Sequence, residues 1–551
     1  MKIIYQGKEV GLQKEIKRVI DMFGDNVRIS PKHIIACKLN NEIKPLNYEI
    51  KDGDEVELLD ITSKDGMFVY IRGALFIMCM AMNELYPKAQ VLINYQLANS
   101  MFCEVKNMEI TDEMIDNLRE KMTEIIKKDY PIEKVSMTKE EANVFFKKYK
   151  ITNPNVSGKL QLENKYKDTV SEYFCDDYFN YFYGVMPIST GYINIFDLMK
   201  YKNGFIVRYP NRNEPNKIGE FRESKKFINT LQEYEQIGNL IGINTISELN
   251  EAIKNGKSKE LVLISEAYQE KKIAELADKI AKHKNLKMVL IAGPSSSSKT
   301  TFARKLGIQL RINGIKPVTI GTDDYFVERP QTPKDENGEL DFESIYALDL
   351  DLFNDHLTKL INGEEVEIPT FDFKKGTKKY TGKKLKLADD EILVIEGIHS
   401  LNDMLTSKIP KENKFKIYIS DLTVLNIDNY NRISTTDTRL VRRIVRDYNF
   451  RGYSALETLK RWPSVNKGEE KNIFPFQEEA DAMFNSSLTY ELAVLAKYAV
   501  PLLRKIDSTN SEYSEAKRMV SFLEYFETID ENLIPNNSLL REFIGGGIFD
   551  Y

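Results

Sequence analysis

The chain carries the run Leu290-Ile291-Ala292-Gly293-Pro294-Ser295-Ser296-Ser297-Ser298-Lys299-Thr300-Thr301. An apolar stretch from Met288 to Ile291 reads as a buried strand. A loop of small residues follows, and Lys299-Thr300-Thr301-Phe302-Ala303-Arg304-Lys305-Leu306 opens a helical pattern. Strand, small-residue loop and helix place backbone N–H groups and the positive end of a helix dipole around an anion, which is how phosphates are held. On this reading Gly293, Ser295, Ser296, Ser297, Ser298, Lys299, Thr300 and Thr301 cradle a nucleotide. Lys299 reaches its outer phosphates, and the Thr300 hydroxyl sits on Mg²⁺. One position departs from the usual pattern, which has glycine before the lysine where Ser298 stands. Positive φ at a residue with a side chain costs roughly 1–2 kcal/mol, and its Cβ crowds the phosphates.

Three further groups fit the same chemistry. A strand over Lys316–Ile320 ends in Gly321-Thr322-Asp323-Asp324-Tyr325-Phe326. Ligands of open α/β sheets bind at the carboxyl ends of strands, and transfer to a hydroxyl wants a carboxylate to orient it and take its proton. Neighbouring side chains in extended chain point opposite ways, so one of the two aspartates is expected to face the site. A third strand, Glu391–Ile395, delivers Glu396, placed to hold Mg²⁺ directly or through water. His399 nearby is expected to be a structural hydrogen-bonding residue. Finally, Arg439, Arg442, Arg443 and Arg446 follow helical spacing and Arg451 comes soon after. Guanidinium forks bind phosphate oxygens in pairs, so this segment is read as a lid; the plainer alternative is a solvated face with Asp437 and Asp447 as salt partners.

The elements that would carry these groups belong to a long chain. With 551 residues, 42% hydrophobic and 29% charged, it has room for three or four domains of about 150 residues. A net charge of −5 gives no global attraction to nucleic acid or anionic membrane. Cys37, Cys79, Cys103 and Cys175 are widely spaced, with no Cys-x-x-Cys pair, so neither a disulfide framework nor a zinc ribbon is expected. The start lacks a signal-peptide core, and Met67–Met82, the most apolar stretch, includes Arg72 and is read as a buried helix too short to span a bilayer. A cytoplasmic protein with no membrane partner is the expectation. Ile273, Leu276, Ala277 and Ile280 mark a helix that packs by one stripe.

In order, the phosphate loop, Asp323-Asp324-Tyr325-Phe326, Pro369-Thr370-Phe371-Asp372-Phe373, Glu396-Gly397-Ile398 and the arginine run resemble the uridine kinase/phosphoribulokinase family. The resemblance covers about 285–505. It implies Asp323 as catalytic base with Lys299 and Arg446 as catalytic partners, and Thr300 and Glu396 on the metal. It further implies Arg443, Arg446 and Arg451 on substrate or ATP phosphates, and Asp323, Tyr325, Phe371, Asp372 and Arg443 around the acceptor. Phe371, Gly376 and Tyr453 stand where uridine kinases have tyrosine, histidine and arginine, which weakens the case for uridine.

Two more resemblances lie upstream. Ala36-Cys37-Lys38-Leu39-Asn40-Asn41-Glu42, Leu46 and Asp52–Leu59 resemble the TGS domain of threonyl-tRNA synthetases, a β-grasp docking module; a generic β-grasp unit without a ligand is the alternative. Arg72–Ile77, Leu85-Tyr86-Pro87, the helical pattern Thr111–Lys128 with Tyr130–Lys134, and Tyr183–Tyr192 resemble the second, editing-type domain of those synthetases. Its zinc ligands correspond to Arg72, Phe76, Phe182 and Met186, none of which is a zinc ligand, so zinc chemistry and tRNA editing are not expected. The aromatics Tyr178, Phe179, Tyr181, Phe182 and Tyr183 are read chiefly as packing.

The expected organisation is α/β and multidomain. It comprises a β-grasp unit (1–62), an α+β editing-like unit (63–225), connecting helices (226–284), a P-loop kinase unit with a parallel sheet (285–505) and a helical extension (506–551). The leading expectation is an ATP- and Mg²⁺-dependent kinase acting on a hydroxyl of a small sugar-containing acceptor, most plausibly the 5′-hydroxyl of a pyrimidine nucleoside. The alternative is a nucleotide-gated regulator that contacts RNA or the ribosome through its N-terminal half. A homo-oligomer is compatible with either.

Overall fold

The computed structural model describes residues 2–12, 16–22, 33–150, 158–334, 338–372 and 375–550; Phe373 lies outside them. The fold is mixed α/β and multidomain. Near the N-terminus the strands Lys8–Gly11, Lys2–Tyr5, Glu55–Asp60, Ile34–Leu39 and Glu42–Lys44 form one sheet in that order, with Lys2–Tyr5 parallel to Glu55–Asp60.

The helix Lys64–Leu85 follows directly. It is longer than the apolar run suggested, and at 22 residues it has the length and composition to cross a membrane. Length therefore does not argue against a span, as the sequence reading had it. Burial is what marks it as a core helix: 83% of its apolar window is enclosed by protein. Phe76 meets Tyr178 and Phe182 edge to face at 5.2 and 5.5 Å. Met186 is buried with them, and Arg72 Nε donates to the Val185 carbonyl at 2.9 Å. The positions matched to a metal site are thus filled by ring packing and one side chain-to-backbone hydrogen bond. Tyr178, Phe179, Tyr181 and Phe182 are all buried.

The sheet that matters for chemistry is five-stranded and parallel. Its order is Lys316–Gly321, Glu391–Glu396, Met288–Ala292, Lys414–Ser420 and Ala482–Asn485. All five residues of the central strand are buried, as a strand covered on both faces requires. On one face, Ile273, Ala277 and Ile280 of the helix Ser258–Ala281 join Phe302 and Leu306 of the helix Lys299–Ile312. The Phe371 segment leaves this sheet. Val366–Asp372 pairs antiparallel with Thr377–Leu385 as a separate hairpin.

The C-terminal unit docks on the middle one through 426–432. Asn431 Oδ1 accepts from the Tyr183 amide at 2.7 Å, its Nδ2 reaches the Tyr181 carbonyl at 3.1 Å, and the Ile93 amide donates to the Asn429 carbonyl at 2.8 Å. The Tyr430 ring stacks on Phe182.

Candidate active site

Each site element sits at the carboxyl end of a parallel strand, where a doubly wound sheet leaves its crevice. After Met288–Ala292 the chain turns at Gly293. A Cβ there would lie 2.0 Å from the Ile419 carbonyl oxygen, so only glycine lets the loop leave the strand beside its neighbour. Ser296 and Ser298 take φ of 61° and 65°. Ser298 thus adopts the left-handed conformation expected of the residue before the lysine.

The hydroxyls of Ser296, Ser297 and Ser298 are buried without a hydrogen-bond partner. Buried polar atoms are normally satisfied, and the first amides of the helix Lys299–Ile312 have no partner within the helix. A loop of this kind suits phosphate oxygens. Lys299 Nζ instead donates to the Gly293 and Pro294 carbonyls at 2.9 and 3.1 Å, and burial holds its pKa below the ordinary lysine value.

Thr300 Oγ1 donates to Glu396 at 3.1 Å. Burial raises the Glu396 pKa, and Lys299 opposes the rise. Among the described residues no group of three or more His, Cys, Asp or Glu is placed to hold a metal. Mg²⁺ does not need one: it takes one or two protein oxygens and completes its shell with water and phosphate. The hydroxyl of Thr300 and the carboxylate of Glu396 fit that demand.

A cavity of about 700 Å³ opens over the loop, with Ser295–Thr300, Asp323, Glu396, Arg443, Arg446 and Arg451 among its lining residues. Asp323 and Asp324 do diverge, but not by strand alternation. Both lie in a short 3₁₀ turn, Thr322–Tyr325. Asp323 faces the cavity, while Asp324 Oδ1 accepts from the Phe371 amide at 3.4 Å. Burial first, then the Asp324 charge, raises the Asp323 pKa, with Lys299 opposing. His399 also lines the cavity. Burial pushes its pKa down to about 4, so it is neutral near pH 7, and its Nδ1 is buried without a hydrogen-bond partner.

The acceptor-side residues are scattered. Tyr325 turns into the core, its hydroxyl 3.0 Å from His356 Nδ1 and its ring against Phe353. Phe371 is buried against Phe326, and Asp372 is paired with Lys379 at 2.7 Å. Of the predicted acceptor set, Asp323 and Arg443 are on the cavity wall. The reason is the hairpin, which sends Phe371 and Asp372 away along its own strand.

The arginine helix is not a lid. Thr435–Arg446 packs Leu440, Val441, Ile444 and Val445 into the core. Arg439 and Arg442 are fully buried and clamp structure. Arg439 grips Glu469 through two hydrogen bonds of 2.6 and 2.9 Å. Arg442 lies between Asp421, at 3.3 Å, and Glu491. Both arginines also donate to loop carbonyls, Arg439 to Ser295 at 3.2 Å and Arg442 to Ser296 at 3.3 Å. Arg443, Arg446 and Arg451 surround the buried Asp447 at 3.2, 2.9 and 3.7 Å, so the salt-partner alternative holds for Asp447. Asp437 pairs elsewhere, with Arg518. Only the following turn, Asp447–Arg451, with exposed Tyr448 and Phe450, overhangs the cavity.

Three carboxylates of the cavity were invisible in the sequence. Glu469 accepts from the Ser295 amide at 2.7 Å. Glu542, from the C-terminal segment, accepts from the Thr301 hydroxyl at 2.6 Å and faces its amide at 3.4 Å. Glu343 is pushed up to about 7 by burial and by the nearby Glu469 and Asp341. None sits in a local motif.

Residues 288–493 match the Phosphoribulokinase / Uridine kinase family. The chain is 28% identical over 178 residues to a uridine kinase of Ureaplasma urealyticum, covering 32% of this chain and 77% of that one. It is 26% identical over 211 residues to a uridine kinase of Staphylococcus haemolyticus, covering 38% and 92%. Among solved structures, a possible uridine kinase from Bacillus stearothermophilus aligns over 39% of this chain and 97% of its own, at 23% identity and a TM-score of 0.25.

Proposed function

We propose, from a C-terminal region (288–493) that is a P-loop kinase of the uridine kinase/phosphoribulokinase family, that the chain moves the γ-phosphoryl group of Mg·ATP to a hydroxyl of a small sugar-containing acceptor. A pyrimidine nucleoside taking phosphate on its 5′-hydroxyl is the favoured acceptor. The observation that carries this reading is one cavity bringing together the loop around Lys299, the Thr300–Glu396 pair and the carboxylate of Asp323.

In this reading Thr300 and Glu396 would hold Mg²⁺, which when bound would offset phosphate charge. Lys299 exchanges its two loop carbonyls for phosphate oxygens. Arg443, Arg446 and Arg451 offset charge that spreads over the transferring group. Asp323 orients the acceptor hydroxyl and takes its proton. The overhanging turn Asp447–Arg451 limits access of water. The strand order of the N-terminal sheet and the clustering of Arg72, Phe76, Phe182 and Met186 support the β-grasp and editing-like readings of the first two units.

The test is direct. Full-length protein is incubated with Mg·ATP and a panel of nucleosides and sugars, and products are resolved by ³¹P NMR. A phosphomonoester on one acceptor is expected. ATP turnover that no acceptor accelerates would remove the kinase reading.

The pH profile follows from Asp323. Its base form is required, and its pKa is raised above the ordinary carboxylate value of 3.8. Activity is therefore expected to be lost as pH falls through that raised value. The acid limb of kcat/KM thus lies above the usual aspartate range and disappears in Asp323→Asn. An acid limb near pH 6.5 that His399→Asn abolishes would contradict this assignment.

The C-terminal carboxylate makes a separate prediction. Glu542 sits where Thr301 and the helix N-terminus offer donors to an anion, so it competes with nucleotide phosphate. Glu542→Gln is expected to tighten ATP binding about 3- to 10-fold, since each 1.4 kcal/mol is a factor of ten. Calorimetric titration with ATP in the presence of Mg²⁺ reads it, and weaker binding would show that Glu542 helps hold the nucleotide.

A further inference from the structure

A second cavity, of about 390 Å³, lies between the middle unit and the C-terminal one, on the far side of the segment Ile473–Gln477 from the first. The Gln96–Ala98 turn closes one end. Arg432 and the run Ser434–Thr436 form the polar wall, and Leu97, Phe227 and Phe474 form the apolar one.

Arg432 is the unusual group. Its Nε is shut off from solvent with no hydrogen-bond partner, and its guanidinium makes no ion pair among the described residues. The carboxylate that bears on it is Asp437, which is already held by both Nη atoms of Arg518, at 2.7 and 2.8 Å. Tyr209, the other group that bears on it, has a buried hydroxyl without a partner. Arg432 is half-buried; its enclosed Nε lacks a partner, which is costly, and burial lowers its pKa.

The surroundings favour an anion. The Thr435 and Thr436 hydroxyls make no hydrogen bond among the described residues, and they stand in the first turn of the 12-residue helix Thr435–Arg446, the positive end of its dipole. The other arginine at the mouth, Arg222, is exposed and only loosely paired with Glu220 at 3.6 Å. Guanidinium with hydroxyl donors is the chemistry of phosphate recognition. The volume and the two phenylalanines exceed what an inorganic ion fills, and suit a planar base or sugar attached to it.

We infer that this cleft binds a small organophosphate of nucleoside monophosphate size, with Arg432 as the ligand of its phosphate. The site is independent of the chemistry at the phosphate loop but is joined to it. The helix that begins at this cleft carries Arg443 and Arg446 to the first cavity. Arg439, on the wall of the second cavity, hydrogen-bonds to the Ser295 carbonyl of the loop. An occupant of one site therefore bears on the other, and any coupling is reciprocal.

The test uses full-length protein carrying Lys299→Ala, so that binding at the phosphate loop does not contribute, with UMP, uridine and inorganic phosphate as probes in calorimetry. UMP is expected to bind with a component that Arg432→Gln removes, uridine to show only acceptor-site binding that Arg432→Gln leaves unchanged, and phosphate to bind at least tenfold more weakly than UMP. Arg432→Gln in the same background is expected to weaken UMP at least tenfold, with Arg432→Lys between the two. If Arg432→Gln lowers the unfolding temperature, Thr436→Val and Phe474→Ala replace it, each expected to weaken UMP about 3-fold or more. No heat with UMP up to about 5 mM, weaker than a 4.1 kcal/mol site at 1 mM would allow, would overturn the proposal. So would UMP binding unchanged by Arg432→Gln, or uridine binding that Arg432→Gln weakens as much as it weakens UMP binding.

Discussion

Lys299→Ala is expected to lower kcat for phosphoryl transfer by at least about 10²–10³-fold, with a much smaller change in KM for the acceptor. Lys299 is the cation of the loop, and removing one preorganised charge partner from a transition state costs about 2.7–4 kcal/mol. The structure adds a reason for a large effect. The ammonium is half-buried on the cavity wall and its present partners are the Gly293 and Pro294 carbonyls, so it is held by the loop that it serves. Asp323→Asn keeps the shape of the site and removes the base, for which a loss of about 10²–10⁴-fold is expected. Steady-state kinetics on purified full-length variants, with thermal unfolding run alongside, read both. Turnover within about threefold of the parent in Lys299→Ala would mean that the phosphate loop does not act in catalysis.

The largest effect on stability is expected at Arg442. Its guanidinium is fully buried between the carboxylates of Asp421 and Glu491, and also binds the Ser486 hydroxyl and carbonyl. Burial raises the pKa of both carboxyl groups, and Arg442 opposes that rise. Replacing the whole network by apolar residues need not destabilise, but removing one partner leaves uncompensated charge, at about 3–5 kcal/mol. Arg442→Met is therefore expected to lower the melting temperature of the C-terminal unit by roughly 6–20 °C, at about 2–4 °C per kcal/mol for a unit of this size. Because Arg442 also donates to the Ser296 carbonyl, nucleotide binding should weaken with it. The triple change Arg442→Met, Asp421→Leu, Glu491→Met should recover much of the loss. A single variant that melts within about 1 °C of the parent would show that the network carries little energy.

These two positions differ in how much of their setting the sequence shows. Lys299 was legible because its neighbourhood is local: an apolar strand, small residues and a helix start are consecutive in the chain. The same holds for Asp323 and Glu396, each at the end of a short apolar run that had to be a strand. Arg439 and Arg442 were read only as part of an arginine-bearing lid. Helical spacing says which residues share a face, but not whether that face meets solvent or the carboxylates of Glu469, Asp421 and Glu491, which arrive from 30, 21 and 49 positions away. Where Phe371 and Asp372 lie relative to the cavity was not legible for a related reason. Strand alternation places Phe371 and Asp372 on opposite faces of a hairpin, but the direction in which the hairpin leaves the sheet is a tertiary fact.

The sequence by itself determined the elements around the phosphate loop, their order, and the identity of the groups at their ends, because each rests on spacing within about ten residues. The tertiary structure alone decided which of the five arginines face the cavity and that Glu343, Glu469 and Glu542 join them. It also decided that an unpaired Arg432 lines a second cleft. Charge becomes informative only once it is known what has been desolvated beside it, and desolvation is a property of chain segments brought together from far apart.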